Sequence, residues 1–406
     1  MDKHGLIAGA GIAGLACGVA LARAGWTAQL FEQAPQFGEV GAGVQLGPNV
    51  TRILQRWEVF DAIKAQACTP DVLQARCAQG GQVLARLPLG ASMQEKYGAP
   101  YLTIHRADLH HALMQKAREL KVGVHCAMHV DNIHTHPDGL QIQLEIADEK
   151  RTQYAAMAVV ADGVWSQLRP RLLNDSPTEF TGHLAYRALM RQSDLPAHLR
   201  TQEVTVWMGP DAHVVHYPVK AGEWLNIVCL VHSRQPESSS NGHPTWEGQK
   251  SSEQTLADLQ AALRGACPAL RDLLLACEAW TLWPLYARAL MNGAQQHAQG
   301  RIAVVGDAAH PMLPYLAQGA GMAIEDAAQL EEVLQSASAS HVDDALQQFA
   351  QMRWRRNARV QARALRNGRI FHADGWTRVG RDLGLRLLGE QLMDVPWLYG
   401  HGMRHS

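Results

Sequence analysis

The chain opens on a short apolar run at residues 5–8, three glycines spaced Gly9-x-Gly11-x-x-Gly14, and a stretch of small and apolar residues. That order predicts a buried strand, a tight turn and a helix. A second run, Thr27-Ala-Gln-Leu-Phe31, predicts the next strand and ends at the acid Glu32. Two further apolar runs, 157–160 and 302–305, end beside Asp162-Gly163 and Gly306-Asp307, and Gly319-Ala-Gly321 opens another helix. Between them, 204–207 and 225–231 read as strands. Strict alternation places His213, Val215 and Tyr217 on one strand face and Val214 and His216 on the other. The polar, Ser/Pro/Gly-rich stretch 234–252 reads as a surface loop before a helix pattern at 256–263. These alternations predict an α/β protein whose Rossmann-like nucleotide-binding domain is assembled from pieces 1–72, 98–178 and 290–342. An α+β domain at 73–97 and 179–289, carrying an open sheet, is interleaved with it, and C-terminal helices follow at 343–406.

The glycine spacing adds chemistry to the fold. The first glycine makes the turn, the second lets a pyrophosphate approach the backbone, and the third lets helix and strand pack closely. Phosphate would sit on the free N–H groups at the helix N-terminus. The motif alone is weak. Its context, a strand before, a helix after and Glu32 closing the next strand to receive a ribose diol, makes it a dinucleotide site.

Composition narrows the partners. The 406 residues are 47% hydrophobic and 18% charged, with a formal net charge of -1, which offers nothing to nucleic acid or an anionic membrane. The seven cysteines form no Cys-x-x-Cys pair, as expected of reduced thiols in the cytoplasm, and argue against zinc or a redox disulfide. No apolar run reaches the roughly 18 residues of a membrane span, and the glycines interrupt what could otherwise pass for a secretory leader. The Arg-rich segment 353–369 reads as an amphipathic packing helix with its arginines facing water or acids. His129, His134 and His136, and the adjacent His110 and His111, lack the i,i+4 pairing with an acid that a zinc helix shows. They read as surface or loop residues, and no metal is assigned.

Which dinucleotide binds is decided near the C-terminus. An NAD dehydrogenase needs no second nucleotide-contacting carboxylate some 300 residues after its glycine turn, whereas FAD is long enough to thread past several segments. Asp307 can bond ribityl or ribose hydroxyls. The N–H groups opening the helix at Gly319, Gly321 and Met322 can hold the electron-rich edge of a flavin ring.

Four stretches, the glycine motif with Glu32, EVGAGVQLGPN at 39–49, ADGVWSQLR at 161–169 and GDAAHP at 306–311, together resemble the single-component FAD-dependent aromatic hydroxylases. The resemblance is strongest to the salicylate hydroxylase and 3-hydroxybenzoate 6-hydroxylase group, which has the p-hydroxybenzoate hydroxylase fold, and it spans nearly the whole chain. It implies an FAD-dependent monooxygenase, reduced by NADH or NADPH as a transient co-substrate. Dioxygen, through a flavin hydroperoxide, would hydroxylate a small phenolic aromatic acid of hydroxybenzoate, salicylate or hydroxypyridine carboxylate type. It also implies that Asp162 and Gly163 serve FAD and NAD(P)H, and that Arg106 reaches the FAD pyrophosphate. In the same resemblance His213 takes or shares the phenol proton, Tyr217 shapes or bonds the substrate, and Gln45, Pro314 and Tyr315 roof the pocket. Val160 stands where the family has glycine and Gln33 where it often has arginine. Pro314 replaces a glutamine of the 3-hydroxybenzoate branch, while Gln45 and Tyr315 replace histidines of the 6-hydroxynicotinate branch. A histidine suits phenol deprotonation because its pKa lies near working pH. The rival readings are an FAD oxidase or dehydrogenase of an amine or hydroxy acid, and a non-catalytic nucleotide-binding protein that docks through 353–369. A homodimer is the assembly considered.

Overall fold

The structure, a computed structural model, describes residues 2–38, 42–147, 149–232 and 252–403. Glu39, Val40 and Gly41 of the second resembling stretch, and the loop expected over 234–252 apart from the helix start at Ser252, lie outside the described residues. The chain forms two compact units. One comprises Met1–Val40, Leu109–Glu179 and Tyr286–Ala364; the other comprises Gly41–Asp108, Phe180–Leu285 and Leu365–Ser406.

The first unit is built on a six-stranded sheet in the order Ala298–Gln299, Ile302–Val304, Met157–Val160, His4–Ala8, Thr27–Phe31 and Gly123–His125. All neighbours are parallel except the first pair. Continuous apolar runs such as Met157-Ala-Val-Val160 suit a parallel sheet covered on both faces. Ala8 pairs with both Phe31 and Val160, and Val160 with Val304, so four strands end level with one another. Gly9, Glu32, Asp162 and Asp307 therefore emerge along one carboxyl edge, the place where doubly wound sheets bind ligands.

The helix Ile12–Arg23 is buried along most of its length and packs against the helix Gly319–Gln335, and Arg23 Nε donates to Glu331 at 3.0 Å between them. An antiparallel meander, His129–His136, Gly139–Ile146 and Glu149–Ala155, closes the unit by burying Val130, Ile133, Leu140, Ile142 and Leu144. His129, His134 and His136 thus lie in a strand rather than a loop.

The second unit carries a seven-stranded sheet in the order Thr281–Ala287, Glu179–Arg191, Trp224–His232, Ala212–Val219, Val204–Met208, Val72–Cys77 and Val83–Pro88. Tyr186, Trp207, Val214 and Ile227 pack on one face with Leu259 and Leu270 of the helices Ser252–Ala262 and Pro268–Leu275. On the other face Val206, Met208 and Val215 meet Phe371 and Leu385 from the C-terminal helices. A two-stranded ribbon, Gly43–Leu46 with Leu102–His105, belongs to this unit; Thr103 Oγ1 donates to Pro218 O at 2.6 Å. Residues 41–72 and 98–108, which the sequence pattern groups with the nucleotide-binding pieces, fall in this second unit. Contacts of this kind draw them to the open sheet.

Candidate active site

Along the carboxyl edge of the parallel sheet, each glycine of the motif meets a different constraint. Gly9 has φ +95°, and a Cβ there would lie 2.6 Å from Ala161 O. A Cβ on Gly14 would stand 1.9 Å from Gly9 O, so strand and helix touch at that point. Gly11 caps the helix, and a Cβ on it would meet nothing within 4 Å. Two glycines are thus required by the protein's own packing, whereas the third borders open space at a helix N-terminus, where an anion is stabilised. Glu32 is aimed at this turn: Oε2 accepts from Ala10 N at 2.9 Å and Oε1 from Ala34 N at 3.0 Å. His110, read from sequence as a surface or loop residue, sits in the helix Arg106–Glu119 and contacts Ala10 O through Nε2 at 2.9 Å.

Val160 forms a regular strand end, and the chain turns beyond Asp162, at Gly163, φ +81°. Asp162 faces Ser166 and the amide of Leu168; burial pushes its carboxyl pKa up. At the neighbouring strand end Gly306 has φ +57° with Ala13 too close for a side chain, and Asp307 is exposed between buried Gly306 and Ala308. Asp307 Oδ1 lies 4.0 Å from where a Cβ on Gly319 would be, so this carboxylate and the opening of the helix Gly319–Gln335 form one concavity. Gln318 is the N-cap of that helix, and Met322 N donates to Gln318 O at 2.8 Å. The amides of Gly319, Ala320 and Gly321 are those that precede the helical ladder.

Two arrangements that sequence reasoning missed hold this turn. Arg169 Nη1 donates to Ala308 O at 2.9 Å and also to Ala309 O, while Nε donates to Asp175 at 2.9 Å. Behind the turn, Asp326 accepts from Gly306 N at 3.3 Å, His310 Nε2 at 2.6 Å, Arg353 Nε at 2.8 Å and Asn357 Nδ2 at 2.9 Å. Burial would raise the Asp326 pKa, but the His310 and Arg353 charges hold it well below the carboxylate range. His297, His310 and Asp326 have the spacing of a metal cluster, but Asp326 is already engaged by four donors, one of them the Arg353 cation, which makes the group a hydrogen-bonded brace. Arg353 and Arg356 both bind Glu325, so these two arginines of the basic helix face acids.

In the second unit, Gln45 Oε1 accepts from Tyr101 Oη at 2.6 Å, and Gln45 also bonds Tyr217. Gly43 makes room for that tyrosine: a Cβ would lie 2.5 Å from Tyr217 Cε2 and 2.8 Å from Asn226 Cγ. Gly43 N donates to Asn226 Oδ1 at 2.7 Å. Burial raises the Tyr217 pKa, keeping it a hydroxyl at neutral pH. Arg187 projects on the same sheet face, 4.8 Å from the Trp283 ring centroid, and its Nε is buried without a hydrogen-bond partner among the described residues. Burial lowers its pKa to about 10; Tyr217 and Arg106 are its charged or polar neighbours. Arg106 opens its helix, with its N donating to Ala42 O at 2.8 Å.

His213 is 1% exposed and shares this face, as alternation predicts. Its Nδ1 lies 2.8 Å from His372 Nε2, and the Phe371 ring stands edge-on at 5.3 Å. Burial holds its pKa well below the usual value, with His372 and His183 adding to the effect. His216 turns to the opposite face and stacks on Trp207. Pro314 and Tyr315 belong to the first unit, in the turn Pro314–Leu316, where Pro314 is exposed and Tyr315 buried. Tyr101, Arg187, Asn226 and His372 carried no sequence signal. Strand pairing and helix return bring them to Gln45, Tyr217 and His213 across as many as 159 residues of chain.

Residues 3–364 match the family described as FAD binding domain. The chain is 34% identical over 403 residues, 98% of its own length and 96% of the relative's, to a 3-hydroxybenzoate 6-hydroxylase of Polaromonas naphthalenivorans. It is also 34% identical over 378 residues, 93% and 92% of the two lengths, to a 6-hydroxynicotinate 3-monooxygenase of Bordetella bronchiseptica. Among solved structures, a salicylate hydroxylase substrate complex superposes with a TM-score of 0.80 at 27% identity, covering 98% of this chain and 96% of that one.

Proposed function

The chain belongs to the single-component FAD-dependent aromatic hydroxylases, and from that premise we propose that it hydroxylates a small phenolic carboxylic acid bound on the His213, Tyr217 and Arg187 face of its open sheet. It is an FAD-dependent aromatic monooxygenase with NADH or NADPH as transient co-substrate. The open space beside Gly11, between glycines that tolerate no side chain, fits the pyrophosphate of FAD. Gly9, Gly11 and Gly14 would hold that group, and Glu32 the ribose. Asp162, Gly163 and Asp307 would line the sugar chain, and the helix opening at Gly319, Gly321 and Met322 would hold the ring. When bound and reduced, FAD supplies the activation of dioxygen. The protein's residues bind, orient and deprotonate the substrate and exclude water.

The single observation that carries the substrate reading is Arg187, a cation with a buried, unpartnered Nε beside Tyr217. An uncompensated buried charge is costly, and a carboxylate ligand offsets that cost with charge-assisted hydrogen bonds. In this reading Tyr217, Gln45 and Tyr101 position the ring and His213 takes the phenol proton. On the same reading the first unit serves as the FAD-binding domain and the second as the substrate domain.

The testing experiment is NADH and NADPH oxidation by the purified holoenzyme against hydroxybenzoates, salicylate and hydroxypyridine carboxylates, with peroxide and product quantified together. Stimulated oxidation, little peroxide and a product one oxygen heavier, allowing for lost carboxylate, support the proposal. A protein that ignores both nucleotides and oxidises amines or hydroxy acids would overturn it in favour of the oxidase reading. No helix among the described residues is long and apolar enough to cross a membrane. We extend the proposal to the cytoplasm, where the seven free cysteines remain reduced. It extends also to a homodimer, since Trp376, Val379, Leu383 and Leu387 expose an apolar stripe along the helix Gly375–Met393. Sedimentation at micromolar concentration checks the assembly.

A further inference from the structure

A buried base that has taken a proton must lose it again, and the surroundings of His213 contain a route. Its Nδ1 lies 2.8 Å from His372 Nε2, a hydrogen bond in which one ring donates and the other accepts. His372 is placed with care: it follows the long helix Val342–Phe371, its N donates to Gly368 O at 3.1 Å, and Arg381 Nη1 donates to the carbonyls of Ile370 at 3.1 Å and Phe371 at 2.9 Å. Whereas His213 is sealed from water, His372 is only half-buried.

We propose that His372 relays the proton taken up by His213 to solvent, so that the two imidazoles work as a wire rather than as one base and a packing residue. The inference rests on the phenol-base reading above. With Nδ1 committed to His372, exchange with the substrate passes through Nε2 of His213. The phenol O–H bond breaks as Nε2 gains that proton. The Nδ1–H bond of His213 breaks as His372 Nε2 gains the next proton, and His372 releases its own Nδ1 proton to water. No electrons are transferred, both rings end neutral, and reprotonation of the product oxygen along the same path restores the starting tautomers.

The groups around the pair favour passing a proton over keeping it. His183 stacks on His372 with centroids 5.9 Å apart, and His232 stands 5.1 Å from His183. His183 Nδ1 bonds Thr181 O at 2.9 Å. Arg381 is the nearby cation, and the acid beside it, Asp382, is paired with it at 2.8 Å. Burial first, then these neighbours, bring His372 down to about 4, and His213 and His183 are lowered too. An imidazolium is disfavoured at either station, so transfer through neutral rings is the path of lower energy.

The experiment mixes holoenzyme with 3-hydroxybenzoate in weakly buffered solution containing a pH-indicator dye and follows proton release. His372→Gln keeps a hydrogen-bonding side chain but cannot pass a proton on. We expect it to slow release and the hydroxylation step by about tenfold or more, with flavin reduction by NAD(P)H and KM near wild type and with rescue by added imidazole; His372→Asn should behave likewise. Unchanged release in both variants, or equal loss of flavin reduction and hydroxylation without imidazole rescue, overturns the relay. Wild-type release in His213→Gln, or no release by the wild-type enzyme, overturns the phenol-base reading beneath it and the relay as well.

Discussion

Arg353 Nε and Asp326 Oδ1 meet at 2.8 Å with both side chains at most 1% exposed, directly behind the turn that carries Asp307. Removing one partner of such a pair leaves a buried charge uncompensated, at a cost of about 3–5 kcal/mol. Arg353→Met takes the guanidinium away from Asp326, while Glu325 keeps Arg356, so its denaturant midpoint should fall accordingly. Because Asp326 also accepts the Gly306 amide, FAD should be lost before the chain unfolds. Flavin fluorescence and circular dichroism followed through one urea titration check the order of events; coincident, wild-type-like transitions would refute it.

The glycine motif predicts two different failures. Gly14→Ala drives a Cβ into Gly9 O and should destabilise the apoprotein whether or not FAD is present. Gly11→Val adds a side chain where the protein has none nearby, so folding should survive while FAD affinity drops by at least about tenfold, since ligand rather than protein occupies that space. Thermal melts of both apoproteins and fluorescence titrations with FAD separate the outcomes. Equal FAD affinity for Gly11→Val and wild type would remove the pyrophosphate assignment.

These cases show which parts were legible in the sequence. Glycines, strand-end acids and the alternating His213 and Tyr217 are local signals: each follows from a few consecutive residues and the geometry of one element. Their common edge also follows, because parallel strands with aligned ends leave little freedom. The pairing of Gln45 with Tyr101, the position of Arg187 beside Tyr217, and the return of His372 to His213 depend on sheet order and on a 30-residue helix bringing distant segments together. Nothing local encodes them. His110 was misread because an exposed and a half-buried histidine look alike until the helix Arg106–Glu119 is placed against the glycine turn.

Stability should depend on pH in a direction the buried histidines set. His216 and His297, both buried, are depressed to about 4, mainly by burial. Between about pH 6.5 and 4 the unfolded chain binds protons that these folded side chains refuse, so stability falls as pH drops through that window. Each contributes a loss on the order of 3 kcal/mol by pH 4. Asp326 acts in the same direction in a lower window: its depressed pKa stabilises the fold above the ordinary carboxylate value, and that stabilisation is lost as pH falls further. His297→Gln should flatten the profile between pH 6.5 and 4. Melting temperatures at half-unit steps decide, and an unchanged slope would place the titration elsewhere.

Arg187 gives the sharpest test of the substrate class, because its neighbours leave the guanidinium facing Tyr217, Trp283 and Arg106 rather than an acid. If a substrate carboxylate completes it, Arg187→Gln removes one charge-assisted interaction, worth about 1.5–3 kcal/mol. The KM for 3-hydroxybenzoate should then rise roughly tenfold to a hundredfold, with flavin reduction at saturating substrate little changed. Phenol, which carries the hydroxyl but no carboxylate, should bind the variant and wild type alike. Its weak binding to wild type should resemble that of the acid to Arg187→Gln, closing a double-substitution cycle between side chain and ligand. Equal losses for acid and phenol would mean that Arg187 supports the fold of the sheet face rather than the anion, and the acid would have to be recognised elsewhere.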